Sequence, residues 1–517
     1  MNLNNLPEIG GGIGMRKYSF LFLGLVLLLA SSLFAAGVSL TGIGARATSL
    51  SGAYRGISDD WSGMFWNPAG LTQISGLHVG ASTELLWPVA SYLAGQWNGM
   101  NFSTLRTVET ENEPRTFIIP AAGVVYNLNE QLTVGLGFWA PFGLGAKWDL
   151  LDTKNYNANY PEFDYEDDLQ VIDFHPTIAY KLSDKISIGA GLSIVYADIM
   201  IRKPSFIQNP YFGEEIYAAA GAAGPVLKGG FQQVGALAPH FNHVIVESEL
   251  TGNGLGFGGN LGLMFKLTED LQLGISGRYY MDVKLDGTVN GAFYFGNNPQ
   301  ANGLIQQNLK PTLDGMKALK AITDRQHLVL SNAYSGAKVP VYTDASADAD
   351  LPLPMDVGIG LAYKAINEED THLLFSADFM WTQWSTWDII DIKIEGGDVS
   401  QLVEKWDDSY RVNLGVEYKL NPMLAFRGSF YHEKNAAVAE TLTPTIPDIN
   451  SRNTVNVGLE FKIMPGLALH ASYEKIFIGD MTTKLWHYDP VENEYHNMAG
   501  EYKMSVNNLM FGLGYNF

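Results

Sequence analysis

The sequence predicts an all-β fold: a 14-stranded antiparallel transmembrane β-barrel, preceded by an N-terminal segment that can plug its lumen. Three observations predict it. The chain opens on an export-type leader, most of the rest alternates with period two, and one short turn pattern recurs six times. Composition agrees. Of 517 residues only 17% are charged, against ~25% in ordinary soluble domains. Gly reaches 55, and Tyr, Phe and Trp number 25, 26 and 11. The 33 Lys and Arg against 54 Asp and Glu give a net charge of −21. Binding phosphate backbones needs a basic face, so nucleic acid is not an expected partner. Cys is absent, which removes disulfides, thiolate metal sites and Cys nucleophiles.

The leader comes first. Arg16 and Lys17 precede an uncharged run from Tyr18 to Phe34, and the small residues Ala35, Ala36 and Gly37 follow. This is the order of a secretory signal, assigned to residues 1–35 with Met15 as the expected start. The run is also long enough for an uncleaved anchor, but no charged stop-transfer cluster follows it. No later stretch approaches ~18 uninterrupted apolar residues, so no spanning helix is expected in the mature chain.

The strands show as alternation. Leu509, Phe511, Leu513, Tyr515 and Phe517 are apolar, and Asn508, Met510, Gly512, Gly514 and Asn516 lie between them. Ile186, Ile188, Ala190, Leu192, Ile194 and Tyr196 share one face opposite Ser187, Gly189, Gly191 and Ser193. Successive strand residues face opposite sides, so a small or polar face backing each apolar one suits a wall between lipid and a polar interior. A soluble sandwich also alternates. The leader and the low charge favour the membrane barrel.

The turns give the count. Tyr126, Tyr180, Phe265, Tyr418 and Phe461 each open the same pattern of aromatic, polar residue and short turn. A degenerate sixth runs from Tyr363 through Asn367 and Asp370. Six inner turns join six hairpins, and one strand at each end completes 14; losing or gaining one hairpin would give 12 or 16. Between the turns lie longer outer loops. Residues 204–245 are rich in Ala and Gly. Residues 297–337 carry Leu313, Met316, Ala318, Leu319 and Ile322 at roughly helical spacing, which predicts a short amphipathic helix covering an apolar groove or packing on the barrel rim.

Residues 36–76 read differently from the barrel assigned to residues 77–517. They are rich in small residues, and Asn67 before Pro68 reads as a helix cap with Pro at the first helical position. Such a segment can fold into the lumen as a plug or stay outside as a periplasmic tail; a barrel of ~14 strands has room for the plug.

Here the sequence meets a family. Gly44-Ala45-Arg46-Ala47, Ser51-Gly52-Ala53, Asp59-Asp60 and Asn67-Pro68-Ala69-Gly70-Leu71 resemble the hatch of the FadL/TodX-like outer-membrane transporters of long-chain fatty acids and hydrophobic compounds. The resemblance continues in order through Pro141-Phe142-Gly143-Leu144, Leu351-Pro352-Leu353-Pro354, Asp378-Phe379-Met380-Trp381 and Tyr410-Arg411-Val412-Asn413 to Phe517. It implies a bacterial outer-membrane location and passive uptake. Capture would occur in an apolar groove between outer loops, followed by hatch rearrangement and sideways exit at a kink in the third strand. The hatch residues it marks are Arg46, Asn67, Pro68 and Ala69. The kink falls on Ala140, Pro141, Phe142 and Gly143, where Pro141 lacks a ladder donor; the alternative is that Pro141 only ends a strand above the membrane. Basic residues that would meet a carboxylate are Arg202, Lys203 and Lys405. Trp406-Asp407-Asp408 places an acid where the family pattern has Lys, which shifts the expectation toward a neutral cargo, and simple rim charge is the alternative reading of Arg202 and Lys203.

Expected partners are a fatty acid or other hydrophobic small molecule, outer-membrane lipid and lipopolysaccharide, and the barrel-assembly machinery through Phe517. The chain is expected to act as a monomer without cofactor or metal. The 10 His residues are scattered, and no nucleophile set or metal-ligand spacing stands out, so an enzyme is not expected. A general diffusion porin and an outer-membrane hydrolase or adhesin are the rival readings.

Overall fold

The computed structural model describes residues 39–517, apart from residue 41 and the short segments 96–104, 155, 157–159, 209–213, 238–242, 369, 398, 447 and 490–493. The leader expected over residues 1–35 lies outside the described residues, as do hatch residues 36–38.

Fourteen strands close into one antiparallel barrel. They are β1 (Leu77–Ala94), β2 (Phe117–Asn127), β3 (Leu132–Trp148), β4 (Tyr165–Ser183), β5 (Ile186–Gln208), β6 (His243–Lys266) and β7 (Leu271–Tyr280, continued by Val283–Tyr294). Then come β8 (Lys338–Leu351, continued by Asp356–Asn367), β9 (His372–Thr382), β10 (Ser409–Asn421), β11 (Leu424–Glu433), β12 (Arg452–Met464), β13 (Leu467–Ile478) and β14 (Gly500–Asn516). β14 returns to β1 in register from His78↔Asn516 to Ala94↔Gly500, which closes the ring. All six short turns fall where the repeated pattern puts them, the degenerate one between β8 and β9 included. The break within β8 holds Pro352 and Pro354, which have no N–H for the ladder.

The two faces separate as the alternation requires. On β6, Leu255, Phe257 and Leu261 are 64%, 52% and 69% exposed, while Asn260 is buried. On β12, Val455 and Val457 point out, and Thr454 and Asn456 are buried within. A belt of bare aliphatic and aromatic side chains suits a hydrocarbon surround, and the polar inner face must find partners inside.

Those partners come from the hatch. It carries α1 (Ala45–Ser49), α2 (Gly63–Trp66) and a 3₁₀ turn over Pro68–Gln73. The 3₁₀ turn packs on β4, β5 and β6, and α1 packs on β12, β13 and β14 across the lumen. Between them Tyr54, Trp61, Met64 and Trp66 join Val125 and Trp139 of the wall in a buried apolar core.

The long outer loops fold into helices. Residues 204–245 supply α3 (Glu214–Ala219) and α4 (Gly224–Leu237), and residues 297–337 supply α5 (Pro299–Leu304), α6 (Lys310–Ala318) and α7 (Asp324–Asn332). Leu227, Phe231, Leu309, Leu313 and Met316 form a shared core with Val246 and Phe293 at the strand ends. The predicted amphipathic helix is α6. Leu313 and Met316 face its core as the spacing requires, but Leu319 lies past its end and is 82% exposed.

Candidate functional site

The hatch is held to one side of the lumen by buried charge. Arg46 on α1 donates to both carboxylate oxygens of Glu417 on β10, each at 2.9 Å, and to Asp59 at 2.5 Å. Glu417 also accepts from Arg427 on β11 at 2.5 Å and contacts His372 at 2.8 Å; Arg427 in turn pairs with Glu460. A second latch centres on Arg55, which meets Asp356 at 3.2 Å and Asp378 at 3.5 Å and donates to Ser276 at 3.1 Å. Asp378 also accepts from the backbone N–H groups of Tyr54 and Arg55, at 3.2 and 3.0 Å. Charge-assisted bonds of this kind are the strong ones, and a buried ion left without its partner is costly.

Asn67 sets the far end of the hatch. Its side chain accepts from the Ala69 N–H at 3.2 Å and caps the turn that Pro68 opens. Its amide donates to the Arg55 and Leu263 carbonyls, both at 3.0 Å, so one side chain ties the cap, the hatch interior and β6 together. Pro68 and Ala69 press on the wall at Gly189, where a Cβ would stand 2.4 Å from the Pro68 carbonyl carbon. Only Gly admits that approach.

The opposite side of the lumen is built otherwise. β3 pairs with β2 only from Asn127↔Thr133 to Ala122↔Phe138. Beyond that rung the outer part of β2 stays paired with β1, from Ala121 through Phe117, while β3 runs on beside β4 alone. Across from β4 the register slips between Trp139 and Phe142, at the expected kink. Higher up, the Glu113 N–H donates to the Lys147 carbonyl at 2.9 Å, which bounds a window in the wall between Trp139 and Ala146. The segment leading into the hatch lies against the kink. The Leu40 N–H donates to the Pro141 carbonyl at 2.8 Å, and Ser39 pairs with Phe142.

An apolar belt leads outward from this window. Phe142 meets Tyr280 at 5.5 Å and Trp384 at 6.3 Å between ring centroids. Trp384, Trp387 and Trp406 cluster beyond, with Trp387 and Trp406 stacked at 4.7 Å. A narrow cavity of about 30 Å³ lies beside them, lined by Leu144, Leu169, Ile199, Leu285, Trp387 and Ile446 with Asp167 at its edge.

The three basic residues marked for a carboxylate are not gathered at this cavity. Arg202 is matched by Glu166 at 2.8 Å, Glu249 at 2.5 Å and Glu247 at 3.7 Å. Lys203 acts on the buried carboxyls of Asp167 and Glu404. Lys405 is exposed, next to buried Glu404 and Trp406. Burial in its outer loop pushes the Glu404 carboxyl up to about 8, opposed by Lys203 and assisted by Asp167.

Sequence reasoning missed Arg55, Glu417 and the tryptophan cluster. A signal for Glu417 existed: one acid on the inward face of a strand whose other face is apolar requires an inward partner.

With this geometry in view, the comparisons decide the family. The model of the outer membrane protein transport proteins (OMPP1/FadL/TodX) matches residues 26–517. The chain belongs to that family. It is an outer-membrane protein of a family of transporters of fatty acids and hydrophobic compounds. It is similar to the long-chain fatty acid transport protein of Escherichia coli strain K12, at 23% identity over 434 residues, 82% of this chain and 84% of that one. Outer membrane protein P1 of Haemophilus influenzae is 23% identical over 288 residues, 53% of this chain and 59% of the other. Among solved structures, a Pseudomonas aeruginosa FadL homologue superimposes with a TM-score of 0.67 at 16% identity, covering 93% of this chain and all of that one. The Pseudomonas putida toluene transporter TodX does so with a TM-score of 0.62 at 15% identity, covering 92% and 99%. These two establish the shared fold.

Proposed function

We propose that this family member carries neutral hydrophobic compounds passively across the outer membrane and releases them sideways, through the window between β2 and β3. The observation that carries the proposal is the interrupted β2–β3 ladder, crossed on its inner side by residues 39 and 40 and continuous with the Phe142–tryptophan belt. Cargo is caught near the outer helices and moves along the belt. It displaces the 39–40 segment and passes into lipid without re-entering water. Each methylene kept out of water contributes ~0.8 kcal/mol, so such a route favours long or ring-shaped apolar molecules.

Charge supports a neutral cargo. Arg202 already faces three glutamates, and Lys203 faces two acids. A long-chain fatty acid is the second reading, favoured by the name shared among the full-length relatives. A general porin would need an open axial path, and the hatch bonds on both sides of the lumen speak against one.

The native chain has no Cys, which makes a clean test available. Paired strand residues lie within disulfide reach, so Ser39→Cys with Phe142→Cys should form a bridge that pins the segment across the window. Oxidised protein in vesicles should admit an alkane or monoaromatic roughly tenfold more slowly than the same protein reduced, as for a lid locked shut. Equal rates in the two states would refute the sideways route.

A further inference from the structure

At the seam where the barrel closes, four inward side chains stand on adjoining strands at one level of the lumen. Asn456 on β12 is opposite Glu474 on β13, and Glu474 is opposite Asn508 on β14. Glu84 on β1 reaches the same place, where the Asn508 amide donates to its Oε1. The Asn456 amide donates to Glu474 Oε2 at 3.1 Å and to the Thr48 carbonyl of the hatch at 2.9 Å. All four residues are at most 2% exposed.

These bonds use the amide N–H groups and leave oxygens over. Glu84 Oε2, Glu474 Oε1, Asn456 Oδ1 and Asn508 Oδ1 are buried and have no hydrogen-bond partner. Arg452 pairs with Asp448 at 2.5 Å, and Arg411, opposite Glu433, is the cation that acts on Glu474. Glu84 and Glu474 therefore bring two carboxyl groups together inside the wall, and among the described residues neither forms an ion pair with a cation. Buried acceptors without donors and neighbouring like charges are each unfavourable.

The geometry points to a binding site for one hard divalent cation, calcium by preference, held by Glu84, Glu474, Asn456 and Asn508 between the wall and the hatch. Two carboxylates match its charge, and two amide oxygens extend an all-oxygen donor set. Calcium accepts irregular sets of six to eight oxygens, whereas magnesium requires near-octahedral order and keeps its waters. Among the described residues no three His, Cys, Asp or Glu side chains converge as a metal site; this one draws half its donors from Asn. The hatch comes up against it. A Cβ on Gly42 would stand 1.7 Å from Glu84 Oε2, and Thr48 bonds Asn456 directly. The ion therefore fastens the hatch across β12, β13, β14 and β1, next to Gly42 and two residues beyond the Leu40 that bonds Pro141.

The test uses the full-length protein in detergent, stripped with EDTA and titrated with calcium chloride by calorimetry and by thermal unfolding. Wild type should bind one calcium with a dissociation constant below about 1 mM, the range of extracellular calcium modules, and melt at a higher temperature when loaded. Glu84→Gln with Glu474→Gln should lose both effects. Where that variant fails to form the barrel, Asn508→Leu keeps both carboxylates and should weaken binding roughly tenfold by removing one ligand. The absence of saturable binding in wild type, or equal binding in the variants, would overturn the site. So would a double variant that is more stable than a wild type indifferent to calcium, since the two carboxylates would then share a proton.

Discussion

The two halves of the lumen are made of different material. Toward β8–β13, the hatch meets the wall through Arg46, Arg55, Glu417, Asp378 and Arg427, a set of buried ions with short bonds. Toward β2–β4, it meets the wall through Leu40, Trp139 and Phe142, where the strand ladder is interrupted. Ion networks have few alternative arrangements, because every partner removed leaves a charge unpaired. Apolar contacts are non-directional and re-form after sliding. On the proposed route, the difference makes the charged side the hinge and the apolar side the door. The plug should stay fixed at its charged side while its leading segment moves at the greasy one.

That division can be broken from the charged side first. Arg55→Ala leaves Asp356 and Asp378 without their cation, and removing one partner of a buried pair costs about 3–5 kcal/mol. Chemical unfolding should show this loss, and single-channel recording should show new ion leakage through a loosened hatch. An unchanged, silent barrel would mean that the latch is not a hinge. Asn67→Ala removes the cap and two further bonds on the window side of the latch. The cap alone contributes about 1 kcal/mol, so a smaller loss of stability is expected, with leakage milder than for Arg55→Ala.

The greasy side is tested by Pro141→Ala. The substitution returns an N–H to the kink and should slow uptake several-fold while leaving the unfolding midpoint near that of wild type. Uptake equal to wild type would separate the kink from the route. The last test, at Glu404, lies outside both sides of the lumen and reads only a pH dependence. A buried carboxyl titrating at about 8, against 4.5 ordinarily, holds its proton in the folded state after the unfolded state has released its own. Its stabilising contribution is therefore complete below about 4.5 and is lost as the pH rises through 8. Glu404→Gln should raise the melting temperature at pH 8 more than at pH 5. The reverse order would mean that Glu404 is charged and paired in the folded protein.

Much of the barrel was legible because lipid imposes a strict rule. Leu255, Phe257 and Leu261 must be apolar, and the turns after Tyr126 or Phe461 must be short, so period and punctuation carry the strand count. Above the bilayer that rule lapses. The helices within residues 204–245 were hidden by their Ala and Gly, which suit helix packing and loop alike. The bend between the two parts of β8 followed from Pro352 and Pro354 only once the register was known. In the site, Asn67 and Pro141 announced themselves through backbone chemistry that few other residues share. Arg55 and Glu417 did not, because a buried ion is recognised by its partner. Arg46 and Glu417 are 371 positions apart, and nothing local links them.

The seam between β1 and β14 joins the first strand to the last, and the Phe517 N–H bonds the Leu77 carbonyl at 2.9 Å. A ring fastened there cannot close until every other strand is laid down. The hatch precedes β1 in the chain, yet it grips strands from β4 to β14. The hatch contacts on β4 and on β14 are therefore complete together only once that seam is fastened, as a stave-built cask grips its bung only when the last stave is in.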